Sequence, residues 1–177
     1  MIDDRSRGLL VALARSALEA RVRTERLPAV PTGVDVPAAG LFVTIYCAGS
    51  LRGCLGTIDL DGQLGPALVQ LAADVGCEDY RFAPIAAREL PDVTMSLSVL
   101  TAAERVTNLN AIEVGRDGLI IEQGRRRGVL LPQVATEHGW DREMFLRQTC
   151  VKAGLAPDAW QNGATVFRFQ AEVFGDG

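Results

Sequence analysis

Leu41-Phe42-Val43-Thr44-Ile45-Tyr46 and Leu51-Arg52-Gly53-Cys54-Leu55-Gly56-Thr57-Ile58 are two apolar, β-branched runs. Ala48-Gly49-Ser50 is a short connection, so the two runs read as the strands of a hairpin. In the second run a guanidinium and a thiol stand two residues apart. Alternate side chains of a strand share a face, so the spacing predicts that Arg52 and Cys54 project together. Gly53 and Gly56 leave the backbone open to close approach by another group.

Working outward, residues 4–23 read as a helix. Leu9, Leu10, Leu13, Ala14, Ala17 and Leu18 recur at helical spacing, and Asp3 or Asp4 is placed to cap the free N–H groups at its start. Residues 27–40, with Pro28, Pro31, Gly33, Pro37 and Gly40, form a connecting loop. A second helix is expected from Pro66 to about Gly76, with Ala67, Leu68, Leu71, Ala72 and Val75 as its apolar face. Val93, Met95, Leu97 and Val99 alternate with Thr94, Ser96 and Ser98, the pattern of a half-buried strand. A second hairpin is read at Leu119–Glu122 and Gly128–Leu131, turning over residues 124–127. Asp141 caps a third main helix that Gly154 terminates and Pro157 keeps from resuming. The last strand, Ala164–Phe174, places Phe167, Phe169, Ala171 and Val173 on one side.

Gly40-Leu41-Phe42-Val43 resembles Gly118-Leu119-Ile120-Ile121. Each copy continues into a polar turn, an Arg-Gly pair (Arg52-Gly53; Arg127-Gly128), apolar residues and a helix. The match needs a three-residue gap, so it is either chance or a duplicated strand–strand–helix unit, with internal halves at approximately 1–90 and 91–177 of one domain. Hairpin connections and few helices predict an α+β fold with a mostly antiparallel sheet.

Composition narrows the function. Of 177 residues 48% are hydrophobic and 23% charged, enough for a sizeable core. The 22 acidic and 18 basic side chains give a net charge of -4, the wrong sign for a general nucleic-acid binder. No apolar run reaches the ~20 residues of a membrane span, and the N-terminus lacks a secretory pattern, so a cytoplasmic protein is expected. Cys47, Cys54, Cys77 and Cys150 are scattered, the usage of free thiols. His138 is the single histidine, and no metal-ligand spacing or nucleotide fingerprint is present, so neither metal nor cofactor is expected.

Cys54 carries two readings. Arg52 beside it favours the reactive thiolate, while a small buried hydrophobe on a tightly packed strand needs no chemistry. Arg52 needs a partner on a core strand, and Glu78 or Asp79, the acidic pair after the second helix, are the expected ones. The resulting pair is either a strand–helix salt bridge or an anion clamp. His138, before Gly139-Trp140, is a general base toward Cys54 only if the two halves face each other. Arg125-Arg126-Arg127 is a solvated hairpin tip or, with Arg105 and Arg116, a positive rim for an acidic partner.

The chain resembles the AMMECR-type domain family, also called system protein A of the AmmeMemoRadiSam group. The resemblance is carried by Leu51-Arg52-Gly53-Cys54-Leu55-Gly56, Glu78-Asp79-Tyr80-Arg81-Phe82, Glu89-Leu90-Pro91 and Gly115-Arg116-Asp117-Gly118-Leu119-Ile120. Arg127-Gly128-Val129-Leu130-Leu131-Pro132-Gln133-Val134, Gly139-Trp140-Asp141 and Cys150-Val151-Lys152-Ala153-Gly154-Leu155 extend it along nearly the whole chain. It implies a barrel-like antiparallel sheet built from two similar halves, helices outside and a cleft between them. It also implies association with a radical-SAM protein and a Memo-type protein. On this reading the protein is an enzyme or enzyme component acting on a small or peptide-borne substrate. Cys54, Arg52, Glu78 and Asp79 form its catalytic group, and Gly53, Gly56, Arg81, His138 and Trp140 its cleft. The alternative is a non-catalytic ligand- or protein-binding module in which the motif is architecture.

Overall fold

The computed structural model describes residues 2–34, 36–60 and 63–176. The chain is mixed α+β with antiparallel strand pairing, in two compact units, Met1–Leu100 with Glu172–Gly177, and Thr101–Ala171.

The first unit begins with α1 (Asp4–Val22). Asp3 caps it by accepting the Ser6 N–H at 3.0 Å, and Leu10, Leu13, Ala14, Ala17 and Leu18 form its buried stripe. Strands β1 (Gly40–Cys47) and β2 (Ser50–Thr57) form the expected hairpin. Its turn is two residues, Ala48 and Gly49, with φ of 49° and 78°. Two positive φ values match the right-handed twist of the flanking strands. Helix α2 (Leu64–Asp74) starts before Pro66, where the sequence placed its beginning. Proline is tolerated there because N–H groups of the first turn have no intrahelical acceptor. A 3₁₀ turn, Ala87–Asp92, leads into β3 (Val93–Leu100), which pairs with β1. Val43, Ile45, Met95 and Leu97 fill one face of the sheet and pack with Leu10, Leu18 and Leu68 in a single core.

In the second unit β4 (Glu104–Arg105) pairs with β7 (Thr165–Gly175), and β5 (Asp117–Gln123) pairs with both β7 and β6 (Arg126–Leu130). The β5–β6 turn is Gly124-Arg125, tighter than the expected four residues, with Gly124 at φ 63°. A short helix the sequence reading did not contain, α3 (Pro132–Glu137), precedes α4 (Arg142–Lys152). Asp141 caps α4 through the Met144 N–H at 2.8 Å, and Gly154 ends it at φ 72°. Leu119, Ile121, Phe145, Leu146 and Val166 make this unit's core.

One expectation fails here. Strand β7 does not keep one apolar side: Val166 and Phe169 are buried, Val173 is 56% exposed, and Phe174 packs against the first unit's core. Its last residues belong to a different core from its first, so one alternation cannot serve the whole strand. The three arginines are exposed at the hairpin tip, as the solvated reading expected, and two of them are also tied down. Arg126 donates to the Gly154 carbonyl at the end of α4, and Arg127 pairs with Glu122 across the hairpin. Arg116 is held by Asp117 and Glu113.

The Arg-Gly pairs share one local use. A Cβ on Gly53 would stand 2.5 Å from the carbonyl oxygen of Val75, the residue capping α2. A Cβ on Gly128 would stand 2.4 Å from the amide nitrogen of Ala153, the residue capping α4. In each unit the C-terminal end of the helix rests on the hairpin's second strand at the glycine.

Candidate functional site

The register across β2, β1 and β3 sorts the signature residues by face. Gly53 opposes Ile45, which opposes Met95, and this row lies on the core. Cys54 opposes Thr44, which opposes Ser96, so these three side chains lie on the other face. Gly56, Phe42 and Ser98 form the next row on that face. The Thr44 hydroxyl donates to Cys54 Sγ at 3.3 Å, and the thiol is half-buried.

Arg52 departs from the expected alternation. Tyr46 opposes Leu51 and Ile45 opposes Gly53, so Arg52 has no opposite number. A bulge of this kind interrupts the period of two on which a shared face with Cys54 depended. Arg52 pairs with Glu89, not with Glu78 or Asp79: its Nε donates to Glu89 Oε1 at 3.0 Å and its Nη1 to the Ala83 carbonyl at 2.7 Å. Glu89 Oε2 also accepts the Ala86 N–H at 2.8 Å. The Arg52 hydrogen bonds hold the Glu89 carboxyl below its ordinary range. Glu78 points elsewhere: it is exposed and lies 3.6 Å from Arg21.

Asp79 serves the strand edge. Strand β2 is the outer strand of this unit's sheet, and the Cys54 backbone faces away from β1. Asp79 Oδ2 accepts the Cys54 N–H at 2.9 Å. Arg81 Nη2 reaches the Cys54 carbonyl at 3.5 Å, and its Nε and Nη2 fork onto Asp79 at 2.9 and 2.7 Å. Carboxylate and guanidinium thus stand where the C=O and N–H of a further strand would stand, and close the edge at Cys54. The Arg81 fork, with the Cys54 N–H, outweighs burial and drives the Asp79 carboxyl far below its ordinary value. Asp79 in turn raises the Arg81 guanidinium. Tyr80, between them, is 96% exposed.

Gly56 is exposed, but a Cβ there would stand 2.3 Å from the Phe42 ring. His138 is exposed at the end of α3 and stacks on Trp140, ring centroids 4.6 Å apart. Both belong to the second unit, while Cys54, Arg52, Asp79 and Arg81 belong to the first.

Sequence reasoning did not assign roles to Glu89, Thr44 or Asp117. Glu89 and Thr44 gave no spacing signal, since each meets its partner through strand pairing or a long loop. Asp117 is fully buried at the head of β5. Burial pushes its carboxyl up, but the Arg116 hydrogen bonds (2.8 Å each) and the Glu113 N–H prevail and keep it low. Adjacent opposite charges before an apolar strand were the readable sign. Among the described residues no group of three or more His, Cys, Asp and Glu side chains is placed to hold a metal ion, and no helix is long and apolar enough to cross a membrane.

An antiparallel α+β chain with a thiol-bearing outer strand, clamped at the thiol residue by an Asp–Arg pair, is the class that fold and site define. The chain belongs to the AMMECR1 family, whose family model matches residues 11–174. It is similar to a protein of Methanothermobacter thermautotrophicus, 44% identical over 175 residues covering 93% of this chain and 91% of that one. A protein of Thermococcus gammatolerans is 43% identical, covering 98% and 91%. The crystal structure of an uncharacterized protein from Pyrococcus horikoshii matches with a TM-score of 0.87 and 37% identity, covering 99% of this chain and 93% of that one.

Proposed function

We propose that this chain is the binding component of an enzyme system, working with a radical-SAM protein and a Memo-type protein and presenting a ligand or partner segment on the face around Cys54. The observation carrying this reading is that the charged groups of the signature are spent on architecture. Asp79 closes the edge of β2 at the Cys54 N–H, 2.9 Å away, and Arg52 ties β2 to Glu89 and to the Ala83 carbonyl. Neither carboxylate is left to act as a base, because each is held ionised by hydrogen bonds that proton abstraction would have to break. The radical-SAM and Memo-type partners are drawn from the likeness to system protein A.

A second reading, thiol chemistry at Cys54, has its own support. The thiol is half-buried, its sulfur accepts the Thr44 hydroxyl, and Arg81 is the nearby cation in place of Arg52. Cys54→Ser separates the two. The binding reading expects a variant that melts like wild type, co-elutes with purified radical-SAM and Memo-type proteins of the same organism, and supports the reconstituted system. A variant that folds and co-elutes but leaves the system inactive overturns it in favour of the thiol.

A further inference from the structure

The outer face of α4 carries an exposed apolar stripe. Met144 is 39% and Val151 50% exposed, and half-buried Trp140 precedes them on the same line. Positions 140, 144, 147 and 151 follow one another at intervals of four, three and four residues, the spacing of a seam that packs helix against helix. The opposite side of α4, with Phe145, Leu146 and Cys150, is buried in the unit's own core. A groove of about 490 Å³ lies along the start of the stripe, lined by Gly139, Trp140, Asp141, Glu143, Met144 and Arg147.

Two charges border this stripe. Glu143 and Arg147 are exposed and stand four residues apart, in the order that favours an ion pair within a helix. Among the described residues neither side chain has an ion-pair or hydrogen-bond partner, the other included. Their neighbours are already committed. Asp141 accepts the Met144 N–H at 2.8 Å, and Arg142 donates to the Ile112 carbonyl at 2.9 Å. The groove is therefore acidic toward its Asp141 end and basic toward Arg147.

We propose that this face of α4 is the contact between two copies of the chain, paired antiparallel about a two-fold axis at the level of Phe145. Rotation about that axis sets Glu143 of each copy against Arg147 of the other. The same rotation brings Trp140 of each copy to Val151 of the other and places the two Met144 side chains beside the axis. An acid-to-base pattern along one helix complements itself in this antiparallel sense, so a second copy satisfies both charges. The line from 140 to 151 is about 16 Å long at 1.5 Å per residue. So short a contact falls below the ~800 Å² per partner of a standard interface, and a weak, reversible dimer with a Kd on the order of 100 μM follows. Trp140, Met144 and Val151 supply the affinity, while the ion pairs at the rim set the register. The contact goes beyond the Cys54 reading and uses no residue of that site.

Sedimentation equilibrium of the full chain, from about 10 to about 500 μM, tests the proposal. Wild type is expected to pass from monomer to dimer across this range. Glu143→Arg and Arg147→Glu each set like charges opposite one another and are each expected to weaken the dimer more than about tenfold. An equimolar mixture of the two variants carries opposite charges at both contacts and is expected to form a heterodimer about as tight as the wild-type dimer. A folding defect in either variant does not produce that recovery. Val151→Ser, at an exposed position, is expected to weaken the dimer about threefold and decides the matter should a charge variant fold poorly. A wild type that stays monomeric overturns the proposal. Charge variants that dimerise like wild type, a mixture that stays monomeric, or a Val151→Ser variant of unchanged affinity overturns it as well.

Discussion

The carboxylate of Asp79 accepts the backbone N–H of Cys54 at 2.9 Å from 25 residues along the chain. A segment that follows α2 thereby fastens the outer strand of a sheet that α2 itself covers. The signature thiol and the acidic–basic motif are thus one structural device.

Removing that carboxylate, as in Asp79→Ala, leaves the Cys54 N–H without its acceptor and Arg81 without its fork. A loss of about 2 kcal/mol is expected, the range for stranding a buried donor, with the half-exposed Arg81 able to turn to solvent. Urea unfolding measures the loss, and hydrogen exchange at the Cys54 amide should accelerate alongside it.

Acid sensitivity follows from the same carboxylate and from Glu89. Both are held below their ordinary values in the folded protein. Each contribution is therefore complete above the unfolded carboxylate range, about pH 4, and is lost as the pH falls below it. Urea midpoints measured from pH 6 down to pH 2 should decline in wild type. In an Asp79→Asn, Glu89→Gln double variant they should start lower and decline less.

Glycine positions distinguish contact from conformation. Gly53→Ala and Gly128→Ala place a methyl against helix-end backbone at 2.5 and 2.4 Å, and backbone cannot swing aside as a side chain can. Each is expected to cost about 3 kcal/mol. Gly154→Ala meets nothing within 4 Å and bears only the strain of φ 72°, about 1 kcal/mol. Thermal melts of the three variants should rank in that order, with Gly154→Ala the mildest.

Arg52 and Glu89 are 18% and 25% exposed and bonded at 3.0 Å. A double-mutant cycle with Arg52→Gln and Glu89→Gln should return a coupling of about 1 kcal/mol after allowance for their partial solvation. The parallel cycle with Arg52→Gln and Glu78→Gln should return none.

Thiol accessibility gives a further check. Cys150 is fully buried, and burial raises its thiol. Cys47, Cys54 and Cys77 are half-buried. Mass spectrometry after native alkylation should find label on Cys47, Cys54 and Cys77, and on Cys150 only after unfolding.

Local order was readable wherever it rested on neighbouring residues. Asp3, Asp141 and Gly154 marked helix ends because capping acts within one turn. The alternation of β3 stood out because a single core lies against one of its faces. Strand β7 defeated the same reading, since its two ends serve different cores. Helix α2 began ahead of Pro66 because proline marks a permitted first-turn position without requiring the first one. The Arg52 bulge was invisible, because strand register depends on β1 and not on the spacing inside β2.

The amino-acid order by itself determined the family and the α+β class, because short-range periodicity, caps and motif identity are properties of contiguous chain. Only the tertiary structure decided the pairing of charges. Arg52 went to Glu89 and Asp79 to the Cys54 backbone, because partners across a loop are chosen by where strand edges and hydrogen-bond vectors converge, which linear spacing does not encode.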